Sequence, residues 1–300
     1  MSQTEASSNK PFEAEIELAK IEHPLVEAAR MYIRNAAAIG GALMLLSILV
    51  LTLLVPLFYN VDPFDIVWAP LSPPGTENAP FGTDYLGRDI LAGIIHGGSA
   101  TLAVGASAAL LTVFIGLTVG SLAGYYGGWV DDLLMRFTEF FQVLPTLLFA
   151  MVIVALFEPS IVTVAVSIGI VSWTAVARLA RSEFLRIRNL DYVKAARSIG
   201  SRNRRIIWMV ILPNAMPPLV VQSALTVGVA ILFEAGLSFL GLSDPNVMSW
   251  GFMIGSNRDY LMDAWWTVTI PGTFIFLTVL AVSLIGDGLN DATNPKLRER

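Results

Sequence analysis

Six apolar stretches separate the charged residues of this chain, and they decide what it can fold into. Residues 36–58, 99–122, 160–177 and 265–286 hold no charged side chain, while 137–157 and 219–241 hold one acid each, Glu139 and Glu234. A helix needs about 20 mostly apolar residues to cross a hydrocarbon core about 30 Å thick, and the six stretches fit that requirement. Only 14% of the 300 residues are charged, against about 25% in soluble domains. The expectation is therefore an all-α integral membrane protein with six transmembrane helices. A disordered chain is excluded by the hydrophobicity. A net charge of −5 has the wrong sign for a phosphate-binding surface, so no nucleic acid is expected as a partner.

The chain has no cysteine, which excludes a disulfide framework and a thiolate metal site or nucleophile. His23 and His96 lie far apart and lack metal-ligand spacing, so each reads as a plain surface or interfacial residue. No metal site and no catalytic residue is expected.

The basic residues set the orientation. With six spans both termini lie on one side, and 17 of the 19 Lys and Arg residues fall there. Nine of them stand between the fourth and fifth stretches, and only Arg88 and Arg258 fall on the other side. The positive-inside rule then places both termini in the cytoplasm and the membrane lipid around the spans. The first 30 residues are polar and carry no short apolar run behind a basic start. The first span accordingly reads as an uncleaved signal-anchor.

These boundaries give a tail at 1–35, a first span at 36–58, an outward loop at 59–98, a five-helix core at 99–290 and a tail at 291–300. The outward loop is broken by Pro63, Pro70, Pro73, Pro74 and Pro80. Trp68, Trp265, Trp266 and Tyr260 suit the headgroup level, and belt anchoring is the reading preferred for the tryptophans. Gly116, Gly120 and Gly124 recur every four residues, a spacing that lets a second helix approach closely. That helix could belong to this chain or to another. Pro145 and Pro271 predict kinks in the third and sixth spans. Glu234 is a candidate pathway group or a buried polar group that holds helices together.

The segment 178–214 is long for a connection between membrane helices, and long connections are usually functional. Tyr192, Ala195, Ala196 and Ile199 share one face at helical spacing, with basic residues expected on the other side. Gly200 follows as a helix stop. Ala195-Ala196, three residues, Gly200, nine residues, then Val210-Ile211-Leu212-Pro213 resembles the EAA loop of ABC importer permeases. The first position departs from that pattern, because Lys194 stands where the family has Glu. Four further segments resemble the second permease subunit of the dipeptide/oligopeptide and nickel transport family. They are residues 81–89 (FGTDYLGRD), 123–128 (AGYYGG), 234–241 (EAGLSFLG) and 286–297, with GDGLND followed by NPKL.

The resemblance implies a type I ABC importer permease fold with a coupling helix. It implies as partners a second homologous permease subunit, two cytoplasmic ATPase subunits and an external solute-binding protein, in a bacterial or archaeal inner or plasma membrane. It assigns ATPase coupling to Asp191, Tyr192, Lys194, Ala195, Ala196, Gly200, Leu212 and Pro213, with Pro213 ending the loop where the fifth span enters. Peptide is the best guess for cargo. No lysine follows a glycine, so there is no P-loop lysine. ATP and Mg are expected on the partner subunits and no cofactor on this chain. Two other classes would leave different marks. A secondary transporter would show an internal repeat, and an intramembrane enzyme would need a nucleophile and base or metal ligands within spans. Neither pattern is present.

Overall fold

A computed structural model describes residues 24–293. The tail residues 1–23, His23 among them, and 294–300, with the NPKL segment, lie outside the described residues. Two short helices open the structure: α1 (Pro24–Arg34) and α2 (Ala36–Leu53), the latter extended by a 3-10 turn at Val55–Leu57. Asn35 starts α2 by accepting from the Ala37 and Ala38 amides at 3.0 and 3.1 Å, which satisfies donors that a helix start leaves unpaired. The remaining helices are α3 (Ile90–Tyr126), α4 (Gly128–Val143), α5 (Thr146–Leu156), α6 (Ile161–Ser172), α7 (Thr174–Arg188), α8 (Asp191–Ser198), α9 (Asn203–Arg205), α10 (Leu212–Phe239), α11 (Trp250–Asn257) and α12 (Trp266–Thr293). A π-helical segment, Ile206–Ile211, joins α9 to α10. No strand occurs among the described residues.

Four helical runs are long and apolar enough to cross a membrane: Ala36–Leu57, Ile90–Tyr126, Asn203–Phe239 and Trp266–Ala292. Among the described residues two bent pairs, α4 with α5 at 85° and α6 with α7 at 44°, bring the number up to six where each pair is one broken span. The kink expected at Pro145 is a full break, with the proline opening α5. A proline has no amide to donate and is accommodated most readily at a helix start.

Helical runs extend beyond the expected span ends at several places, the third pair from Gly128 and the fourth to Arg188 among them, and two of the spans show why. The second begins at Ile90 rather than at 99, because its polar-looking start is packed rather than exposed. A Cβ on Gly98 would lie 2.1 Å from Thr52 and 2.7 Å from Trp250, and one on Gly93 2.6 Å from Met253. The outward loop therefore ends at Asp89. The fifth span begins at Asn203 rather than at 219, with Pro213, Pro217 and Pro218 inside the helical run. Proline in a helix collides with the carbonyl four residues earlier. The wider π turn directly ahead of Pro213 gives that ring room.

The glycine stripe finds its partner within this chain. Added Cβ atoms would meet Val176 at 2.6 Å from Gly116, the Ala177 carbonyl at 2.2 Å from Gly120, and the Arg181 carbonyl at 2.7 Å from Gly124. The three residues thus seat α3 directly on the backbone of α7. The same device joins α2 to α12, where Gly41 meets Leu284 and Gly288 meets Ala38. Asn35 Nδ2 also donates to Asp291 at 3.0 Å.

The structure has a basic end, carrying α8 and α9, and a loop end, carrying residues 59–89 and α11. Segment 81–89 builds the loop end. Asp84 is buried and its Oδ1 accepts from the Leu86 and Arg88 amides, both at 2.8 Å. Asp89 accepts from the Leu91 and Ala92 amides and starts α3, while the Tyr59 hydroxyl donates to it at 2.5 Å. His96 sits 3.0 Å from the Tyr59 carbonyl. Trp266 is not a belt residue. It is 8% exposed and donates to the Thr83 carbonyl at 3.2 Å. Trp265 and Trp68 stay about half exposed, as belt residues do.

Two outcomes are expected. Gly120→Ala should lower the thermal midpoint in detergent, since the new Cβ meets backbone; overpacking of this kind costs about 1–3 kcal/mol. Gly40→Ala, with nothing within 4 Å of the new carbon, should leave the midpoint unchanged or raise it. Burial raises the Asp84 carboxyl above its ordinary value of 3.8 despite the amide hydrogen bonds and Arg88 nearby. An acid raised in the folded state binds more protons there than when unfolded. Its contribution is therefore fully present below 3.8 and is lost as pH rises through the shifted value. Limited proteolysis of the 59–89 loop should show protection falling across that window, and Asp84→Asn should flatten the dependence.

Candidate functional site

The site grows from the basic end, where three spans meet a short helix. At the end of α7, Arg188 Nη1 donates to the Gly124 and Tyr125 carbonyls, both at 3.0 Å. Those carbonyls belong to the last turn of α3, which lacks helical partners, and a cation there is favoured by the helix dipole. Nearby, Arg181 grips Asp131 of α4 through two bonds of 2.5 and 2.6 Å, a planar fork on a carboxylate. Leu190 then carries the chain into α8.

Helix α8 is rooted by one residue. Val193 is fully buried in a cluster with Phe184 and Ile187 of α7, Tyr125 of α3, and Ile206, Ile207 and Ile211 of the π segment. The neighbouring face is open: Tyr192 is 45% and Ile199 82% exposed, with Ala195 exposed and Ala196 half-buried between them. The four residues expected on one face are thus together, and among the described residues three of them are exposed. The opposite side differs from expectation, since Val193 sinks into the protein and Arg197 lies over the Tyr125 ring at 5.6 Å. Lys194, in the place of the family's Glu, pairs with Asp191 at 3.1 Å on the surface.

Gly200 ends α8 with φ +79°. Its amide donates to the Arg197 carbonyl at 3.0 Å, and the Ser201 amide donates to the Ala196 carbonyl at 3.1 Å. These two bonds form a Schellman turn, which asks for a left-handed residue at that position. Tyr125 OH then donates to Asn203 at 2.8 Å, at the start of the run into α10. Leu212 and Pro213 stand twelve and thirteen residues beyond Gly200. Pro213 therefore does not end the loop, because the helix has already resumed at Asn203.

Glu234 lies at the other end, remote from α8. It is 4% exposed, and its Oε1 accepts from Ser238 at 2.9 Å and Ser249 at 2.8 Å. Helices of this chain enclose it. Val193, Arg188 and the Arg181–Asp131 pair were not singled out from sequence. Val193 had a signal: it is the apolar residue of α8 that falls off the small-residue face. No group of three or more His, Cys, Asp or Glu side chains able to hold a metal occurs among the described residues.

Comparison with known proteins decides the family. Residues 116–299 match the model described as binding-protein-dependent transport system inner membrane component. The chain belongs to this family. It is 40% identical over 285 residues to the di/tripeptide transport system permease protein DppC of Pseudomonas aeruginosa, covering 92% of this chain and 93% of that protein. The dipeptide permease DppC of Bacillus subtilis is 37% identical, with 91% and 86% covered. The oligopeptide permease OppC of Haemophilus influenzae is 36% identical, with 91% and 88% covered. Among solved structures, a chain of the MetNI methionine ABC transporter, captured in inward-facing conformations, superposes with a TM-score of 0.56 at 19% identity. It covers 66% of this chain and 94% of that one, and it supports the shared helical permease fold.

Gly200 carries a test of the turn. Open space surrounds it, so only its backbone angle resists substitution. Left-handed geometry costs a side-chain-bearing residue roughly 1–2 kcal/mol, least for Asn. Amide hydrogen exchange over 195–201 should quicken in Gly200→Val and much less in Gly200→Asn.

Proposed function

We propose that this permease subunit is one of two membrane-embedded halves of an ATP-driven importer of peptides, fed by an external solute-binding protein. Its basic end faces the cytoplasm by the positive-inside rule, which places both termini there and the 59–89 loop and α11 outside. The di- and oligopeptide permeases that match nine-tenths of its length support peptide cargo. Two cytoplasmic ATPase subunits bind ATP and Mg and supply the power stroke.

The observation that carries this reading is α8. It presents Tyr192, Ala195 and Ile199 outward, with Ala196 half-buried beside them, while Val193 fastens it to α3, α7 and the π segment leading to α10. A small-residue face of this kind seats closely in a groove of another protein, because little side chain holds the surfaces apart. Asp191 and Lys194 rim it with charge that orients the contact. Gly200 sets the turn that lets α8 project. Leu212 and Pro213 act at the entry of α10, beside the π turn, rather than at the contact itself. When the ATPases close on nucleotide, α8 moves with them, and the packed Val193 cluster delivers the displacement to three spans at once. Rigid-body motion of packed helices then exchanges inward and outward access.

Ala195→Glu places a long charge on the small face. It should cut ATP-driven uptake of a labelled dipeptide by at least about tenfold, the scale of losing one well-buried interface contact, while membrane insertion is unchanged. Uptake at the normal rate would refute α8 as the docking element. The purified chain alone should hydrolyse no ATP and should support hydrolysis when its partners are added.

A further inference from the structure

The acid at position 234 has no task in the coupling scheme, yet it is enclosed with unusual care. Helix α11 packs on the last turns of α10 through two glycines one turn apart. A Cβ on Gly251 would sit 2.8 Å from both Glu234 carboxyl oxygens, and one on Gly255 2.2 Å from the Ser238 carbonyl. Ser249 is the N-cap of α11: its Oγ accepts from the Phe252 amide at 3.0 Å and donates to Glu234 at 2.8 Å. The carboxyl thereby lies against the first turn of α11, where the helix dipole favours negative charge. Glu234 Oε2 is buried without a hydrogen-bond partner. Glu234 also lines a cavity of about 10 Å³ between apolar residues of α3 and α6, Val104 and Val164 among them, and the loop residues Ser243, Asp244 and Val247. Beyond it, Arg258 Nη1 donates to the Phe239 carbonyl at the end of α10.

The first turn of α11 is tied to α3 from its other side, so α11 and the residues after it can move against α3 only by swinging about Trp250. The Trp250 amide donates to Thr101 Oγ1 and the Trp250 indole to the Ile94 carbonyl, both at 3.0 Å. The Tyr85 amide donates to Asn257 Oδ1 at 3.1 Å. One carboxyl therefore stands where α10 meets the element that organises the outer surface. The helical run holding Glu234 starts at Asn203, beside α8.

We infer that Glu234 is a positioning residue of the transport cycle: it latches α10 to α11, so that displacement delivered at the cytoplasmic end moves α11 on the outer face. This extends the α8 reading and rests on it. A pathway role fits the geometry less well, because helices of this chain cover the carboxyl and both hydrogen bonds to Oε1 are internal. A packing group alone would hold α11 in place but would not make its position depend on nucleotide.

The chain has no cysteine, so spin labels can be placed at will. Met262 follows α11 and is 93% exposed, and Leu110 on α3 is 72% exposed. Labels at these positions report the distance between the α11 region and α3 in the full complex, with and without ATP and vanadate. Without further substitution, the distance should change on nucleotide trapping. Ser249→Ala and Glu234→Leu should abolish that change while vanadate still traps nucleotide on the ATPases. Glu234→Gln, which keeps an accepting oxygen for both serines, should retain it. Should Glu234→Leu fail to assemble, Ser249→Ala decides alone. A distance that ignores nucleotide in the otherwise unsubstituted chain, or that responds normally in Ser249→Ala, overturns the latch. A nucleotide response that survives Ala195→Glu overturns docking through α8 and leaves the latch standing.

Discussion

Helix α3 touches α7 at backbone distance, and the arrangement of the basic end follows from that contact. Apolar burial gives little reason for two helices to choose each other in lipid, since the tails are as apolar as leucine. Close approach does, because it multiplies dispersion contacts and brings carbonyls within reach of side chains on the neighbour. Gly116, Gly120 and Gly124 remove the three Cβ atoms that would hold the pair apart. With the gap closed, Arg188 can reach the last carbonyls of α3, and Phe184 and Ile187 can join Tyr125 in one cluster. Val193 then has a place to be buried. A wider α3–α7 spacing would leave α8 without its root, and a docking helix without a root passes on no force.

The sequence made the spans legible and left their ends obscure, for physical reasons that differ from place to place. Hydropathy registers the length of an apolar run, so the cores of all six stretches could be read. It cannot register that His96, Gly97 and Gly98 are inside a helix, because a glycine packed on Thr52 and Trp250 looks the same in sequence as one in a turn. Pro213, Pro217 and Pro218 look like a boundary, yet the π segment ahead of them lets the helix run through. The small face of α8 was legible because spacing alone defines a helical face. Its root was not, since Val193 is one valine among many until Phe184 and Ile206 are seen around it. Trp266 shows the same limit. A tryptophan at the edge of a span reads as an anchor in the headgroups, and only the Thr83 carbonyl reveals it as a strut.

Two segments that carried the family resemblance prove to be construction rather than contact. In 81–89, Asp84 and Asp89 spend their oxygens on backbone amides, closing a turn and starting α3. In 234–241, Glu234 and Ser238 face α11. Both lie at the loop end, and Asp84, Asp89, Glu234 and Ser238 are all buried. Resemblance in such segments preserves the shape of the outer face and its ties to the spans. It carries no information about which solute crosses.

The chain thus holds two rigid ends joined by long helices, and the mechanical question is which helix links them. Helix α3 spans both ends but is clamped at each, by α7 at one and by Trp250 and Thr52 at the other. Moving it would disturb every packed face at once. The run from Asn203 through α10 is different. Its entry is a π segment, whose looser hydrogen bonding tolerates local adjustment, and Pro217 and Pro218 interrupt its ladder one turn further on. Its far end meets α11 through Gly251, Gly255 and a single carboxyl, beside the apolar cluster that Ile231 shares with Trp250 and Met253. A helix that is compliant near the site of force and tied at its tip by a few short bonds is suited to carry displacement. On that reasoning α3 is the frame, α10 is the moving member, and Glu234 stands at the joint between them and the outer face.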